Sequence, residues 1–189
     1  MTNAVAEETA QHGLKAHSDG GWDRKAPVQT RSERFTSTDV ADFAPVTGRE
    51  AVWKLTPVAK LGALLNGELD GSRVPVTVTG ATGASSEWIA RDDARIGRAG
   101  IPEDRGTAAA WSAFAEAQLI TLRSEEPVTV TVERSELGSA PRAAHTIIEA
   151  KPHARGLVIL ENLGQAHLGE NVEIVVGDGA EITVVSVQQ

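Results

Sequence analysis

The sequence predicts a mixed fold, between α+β and mainly β, with a small helical N-terminal region followed by a region of short strands. Three observations support this. Apolar residues recur at helical spacing over Val58, Leu61 and Leu65. From Pro127 onward the apolar period drops to two. Residues 1–34 carry only Val5, Leu14, Trp22 and Val28 as larger apolar side chains, too few to offset ordering entropy. The chain therefore divides into an expected disordered tail over 1–34, a helical region with a short strand segment over 35–126, and a β region over 127–189.

The elements follow in order. "TSTDVADFAPVTG" predicts a short helix that stops before Pro45. In "TPVAKLGALLNG", Thr56 suits an N-cap, Pro57 the first helical position and Asn66-Gly67 a stop. "SRVPVTVTG" (72–80) alternates Val74, Val76 and Val78 with Pro75, Thr77 and Thr79, and Pro75 favours an edge strand. "ARDDARIGRAGIPEDRG" (90–106) mixes charge signs and reads as a solvated linker. "TAAAWSAFAEAQLITL" (107–122) predicts an amphipathic helix capped by Thr107, with Trp111, Phe114, Gln118 and Leu122 on one stripe.

Beyond it, "VTVTVE" sets Val128, Val130 and Val132 against Thr129 and Thr131. "HTIIEA", "GLVILEN", "NVEIVV" and "EITVVSV" continue the strand series, separated by Gly, Pro, Asn or Asp. Gly177-Asp178-Gly179 fits a hairpin turn by local signals, and a corner in a coiled parallel sheet would carry the same residues.

Composition narrows the function. A length of 189 residues accommodates one domain or two small ones. With four Trp, three Phe and no Tyr, the core must be mostly Val, Ile, Leu and Ala. A net charge of -8 with scattered basic residues disfavours nucleic-acid binding. Zero cysteines exclude disulfides, thiolate metal sites and Cys nucleophiles. The N-terminus does not read as a secretory signal, and runs such as "GLVIL" are too short to span a bilayer. A cytoplasmic protein without a membrane partner is expected.

Individual motifs are weak. "VTVTGATGAS" (76–85) resembles a phosphate-binding turn, in which glycines let backbone amides approach a pyrophosphate. Its third glycine would fall at Ser86, no β-α-β series follows, and the catalytic Tyr of short-chain dehydrogenases has no counterpart. An ordinary Gly-rich loop is the simpler reading, with a nucleotide-binding module using Gly80 and Gly83 as an alternative. His145, His153 and His167, with Glu149, Glu161 and Glu170, could supply metal ligands but lack tight ligand spacing. With His12 and His17 they read as solvated or loop histidines. There is no G-x-S-x-G elbow and no P-loop. No catalytic, cofactor-binding or metal-binding residue is assigned, and a non-enzyme is expected.

Two stretches together carry a resemblance. Gly48-Arg49-Glu50-Ala51-Val52-Trp53-Lys54-Leu55-Thr56-Pro57, within residues 34–61, matches a G-R-E-x-x-W-[RK]-x-T-[PL] signature that precedes a short Leu-rich helix. "PRAAHTIIEAKPHARGLVILENLGQAHLGENVEIVVGDGAEITVVSVQQ" (141–189) is the second match. In order and spacing they resemble SufD-type iron–sulfur cluster assembly proteins of the SufB/SufD family.

The resemblance implies an N-terminal helical region followed by a right-handed parallel β-helix. It also implies a non-catalytic scaffold subunit of the SufB-SufC-SufD complex, paired with a SufB-like paralogue and bound to a SufC-like ATPase, handling a nascent iron–sulfur cluster as cargo. The partner-binding segments of the family lie in its C-terminal half. The sequence therefore reads as an N-terminal fragment that stops within the first coils, at "EITVVSVQQ", and that binds no cofactor itself. A carbohydrate-active enzyme on a β-solenoid is the alternative from another class.

Overall fold

The alternation of "VTVTVE" determines which side chains turn inward. Val128, Val130 and Val132 are buried while Thr129 and Thr131 are not. In the computed structural model, which describes residues 34–80 and 82–189, these valines line a core between two sheets. The tail expected over 1–34 falls, but for its last residue, outside the described residues.

Before the sheets come short helical segments. The predicted helix near residue 40 is a single 3-10 turn, Val40–Asp42, whose first turn is capped by the Asp39 side chain accepting from the Ala41 amide. A second 3-10 turn spans Ala51–Trp53. Helix α1 spans Val58–Asn66, with Pro57 rather than Thr56 at its N-cap and no side-chain capping bond there. Its Leu65 is buried, and Gly67 closes the last turn by donating to the Ala63 carbonyl.

Strands β1 (Thr77–Gly80) and β2 (Ala84–Ala90) precede helix α2 (Arg105–Ala113). Then follow β3 (Glu116–Leu122), β4 (Val128–Arg134), β5 (Gly138–Ala150), β6 (Arg155–Asn162), β7 (Ala166–Val176) and β8 (Glu181–Gln188). One four-stranded sheet has the order β1-β4-β6-β8 and the other β2-β3-β5-β7. Strands β1 and β2 are antiparallel to their neighbours. The other pairs, β3–β5, β5–β7, β4–β6 and β6–β8, are parallel. From β3 onward the chain changes sheet at every connection. Strand β1 is an outer strand, which suits Pro75 just before it.

This topology overturns the expected right-handed parallel β-helix. The described residues form two mixed sheets, each carrying an antiparallel strand at one edge, and neither sheet closes on itself. The helical N-terminal region is also smaller than expected: α1, α2 and two 3-10 turns, with β1, β2 and β3 joining the same sheets as the later strands.

The helix predicted over 107–122 ends at Ala113. It is capped by Asp104, whose Oδ1 accepts from the Thr107 amide, rather than by Thr107. Phe114 turns out of the helix at φ -60°, ψ 139°, and residues 116–122 become a strand between β2 and β5. Ala117 to Leu122 are all buried, so both faces of this strand are covered. A strand covered on both faces loses polar alternation and mimics a buried helix in sequence.

Gly177-Asp178-Gly179 is not a hairpin turn, because β7 and β8 lie in different sheets. It is a corner held to its neighbour: the Gly177 amide donates to the Ala150 carbonyl and the His153 amide to the Asp178 carbonyl. Gly179 has φ 67°, a left-handed conformation that glycine adopts without steric cost. The core between the sheets contains Ile120, Leu122, Ile148, Ala150, Val158 and Leu160. At the outer strand β7, Val172, Ile174 and Val176 continue the rows of Thr146, Ile148 and Ala150 but are exposed.

Candidate functional site

Two buried polar clusters stand out from this apolar framework. The first lies where α2 and the 91–104 segment cover β5 and β7. Residue parity places His145, Ile147 and Glu149 of β5 on the face opposite Thr146 and Ile148. His145 is packed between Trp111 and Phe114, with ring centroids 4.7 Å and 4.5 Å away. Its Nε2 donates to Glu173 Oε1 at 2.7 Å, diagonally across the sheet, since Glu173 is in register with Ile147. Burial holds the imidazole below its ordinary pKa, outweighing the upward pull of Glu173 and Glu170.

Glu173 also accepts the amides of Gly97 at 2.7 Å and Ala99 at 3.1 Å. Beside it, Glu149 pairs with Arg98 at 3.0 Å and Lys151 at 2.8 Å. Burial pushes the Glu149 carboxyl up, but those two cations hold it below the usual carboxylate range. The segment read as a solvated linker is therefore strapped to β5 and β7 by its backbone and by Arg98. Arg91 completes the site by donating to the Ser112 and Phe114 carbonyls where α2 ends.

The second cluster sits at one end of the inter-sheet core. Arg134 continues the inward series Val128, Val130, Val132 and is 1% exposed. Its Nη2 reaches Thr146 Oγ1 at 2.6 Å and Glu170 Oε1 at 2.8 Å, and Thr146 Oγ1 donates to the same Glu170 oxygen. Gln118 lies nearby and donates to Ser86 Oγ at 3.3 Å. A buried ion pair of this kind costs desolvation, and the bonds that both partners make to Thr146 Oγ1 offset part of it.

The histidines singled out from sequence do not converge. His145 is buried in the first cluster, His153 sits in a corner at φ 63°, and His167 is exposed. Among the described residues no group of three or more His, Asp or Glu is arranged to hold a metal ion. Glu161 belongs to neither cluster, whereas Glu149 and Glu170 are held by cations. Gly80 ends β1, and Gly83, at φ 103°, leads directly into β2. No helix N-terminus follows these glycines, so the dinucleotide-type turn does not form.

A groove of about 630 Å³ beside β6 and β8 contains Arg155 and Glu181, paired at 2.6 Å. One carboxylate tied to a guanidinium does not supply the acid pair of a glycosidase. Sequence reasoning missed Glu173, Arg134 and Gln118. Arg134 had a usable signal, because it occupies the next inward position after three valines.

The chain is similar to curated iron–sulfur cluster assembly proteins of the SufBD family. The Mycobacterium tuberculosis protein (strain ATCC 25618 / H37Rv) is 32% identical over 163 residues, 84% of this chain and 41% of the relative. The Mycobacterium bovis protein matches to the same extent. The Mycobacterium leprae protein is 30% identical over 156 residues, 80% of this chain and 40% of the relative. The chain thus spans about two fifths of the length of the curated relatives it matches. This similarity supports the SufB/SufD family and does not single out SufD. No family model matches the chain, and no solved structure matches it at a significant level. No helix among the described residues is long and apolar enough to cross a membrane.

Proposed function

We propose that this chain works in iron–sulfur cluster assembly as part of a non-catalytic scaffold subunit of a SufB-SufC-SufD type complex. The observation that carries this reading is the similarity to SufBD family proteins over 84% of the chain. The Gly48–Pro57 signature and the strand series over 141–189 are compatible with it.

In this reading the subunit pairs with a SufB-like paralogue and a SufC-like ATPase in the cytoplasm. The nascent cluster is cargo of the complex, not a resident group of these residues. The two buried clusters brace the scaffold. His145 and Arg134 are both about 1% exposed, which leaves neither available to a substrate.

The test is affinity purification of the tagged protein from its own cell, with cluster-dependent enzyme activities measured after its depletion. Co-elution of an ABC-type ATPase and a paralogous subunit, with falling activity of iron–sulfur enzymes, is expected. Purification without either partner, and unchanged activities on depletion, would overturn the proposal.

A further inference from the structure

The Arg134 cluster presents buried polar atoms that the protein itself does not satisfy. Gln118 is 1% exposed and its Nε2 is engaged by Ser86, which leaves Oε1 buried without a protein partner. Arg134 directs Nη2 to Thr146 and Glu170, which leaves Nε and Nη1 in the same condition. Both residues line one small cavity of about 10 Å³, together with Val74, Trp88, Ala144 and Thr146. Buried donors and acceptors are almost always paired, with protein or with ordered water.

We propose that this cavity is a built binding site for a single water molecule. The water accepts from the Arg134 guanidinium and donates to Gln118 Oε1. The volume is at the lower bound for one water. A halide is disfavoured on two grounds. Glu170, 2.8 Å from Arg134, already neutralises the guanidinium. Gln118 Oε1 is an acceptor, so it repels an anion and attracts a donor.

The water has a structural consequence. It completes a hydrogen-bond path from Glu170 through Thr146, Arg134 and Gln118 to Ser86. That path runs from β7 and β5 across to β4 of the other sheet, and back to β3 and β2. No direct bond between Arg134 and Gln118 is present to do this.

The experiment compares native crystals of the protein with crystals soaked in sodium bromide. A single rounded density peak is expected within about 3.2 Å of Gln118 Oε1 and of an Arg134 donor nitrogen. It should carry no bromide anomalous signal. A featureless cavity overturns the proposal, and so does an anomalous peak at that position. In solution, cross-relaxation between the Arg134 Nε–H and a slowly exchanging water is expected. Its absence in an assigned spectrum would also sink the idea.

Discussion

Nε2 of His145 lies 2.7 Å from Oε1 of Glu173, although 28 residues separate them in the chain. The same carboxylate holds the amides of Gly97 and Ala99, so one side chain of β7 joins β5 to the 91–104 segment. A carboxylate that accepts from two amides and an imidazole is a strong acceptor in a setting with little competing water.

Stability should fall on mild acidification. Burial keeps His145 below its ordinary value of 6.5, against Glu173 and Glu170 and aided by Arg91. The stabilisation is fully present above that value. It is lost as pH drops below it, because the unfolded chain takes up a proton that the folded chain refuses. Urea midpoints measured from about pH 7.5 down to about pH 5 should fall more steeply for the wild type than for His145→Gln. Equal slopes would remove His145 as the cause.

Replacing Glu173 with Ala should loosen the strap locally. Hydrogen exchange at the Gly97 and Ala99 amides should become roughly tenfold faster or more, with the β3–β5 ladder still protected. Glu173→Gln keeps one acceptor oxygen and should give a smaller increase. Uniform loss of protection across both sheets would show that Glu173 holds the whole fold rather than the strap.

Arg134→Met should cost about 3 to 5 kcal/mol, because it leaves Glu170 partly buried with its cation removed. Arg134→Met combined with Glu170→Met should recover much of the loss, since the buried charge is then gone from both sides. Denaturant titration of the single and double variants measures this. A double variant no better than Arg134→Met would mean that packing, not charge, is what the pair supplies.

Gly156 is required by close packing. A Cβ there would stand 2.6 Å from Leu122 Cδ2 and 2.7 Å from the Val128 carbonyl oxygen. The backbone oxygen cannot move without disturbing the β4–β6 ladder, where Gly156 pairs with Val128. Gly156→Ala should therefore destabilise by about 1 to 3 kcal/mol despite the better intrinsic strand behaviour of alanine. Thermal denaturation of the variant provides the check, and an unchanged midpoint would contradict it.

This chain alone should neither hydrolyse ATP nor retain a cluster. It has no cysteine and no P-loop sequence. Anaerobic incubation with iron and sulfide, followed by desalting and metal analysis, should leave no stoichiometric iron. A bound cluster with its absorption bands would refute the expectation.

The residues themselves determined much of the strand framework. Val128, Val130 and Val132 alternate, and the same period carried Arg134 inward beside them. Val58, Leu61 and Leu65 marked α1, and Pro75 marked an outer strand. The 107–122 run was misread because Ala117 to Leu122 are covered on both faces, and periodicity alone cannot separate a buried strand from a buried helix. Strand β2 went unnoticed because "ASSEWIA" places its two large apolar residues, Trp88 and Ile89, side by side rather than in alternation.

Only the tertiary structure decided which strands pair and which polar groups meet. Parallel neighbours such as β5 and β7 are joined through a strand of the other sheet, so contact partners lie far apart in sequence. His145 meets Glu173, and Arg134 meets Glu170, because register places them across neighbouring strands or facing sheets. Local sequence encodes the direction of a side chain from its strand. The identity of the group it faces arises only when the sheets are stacked and water is removed from between them.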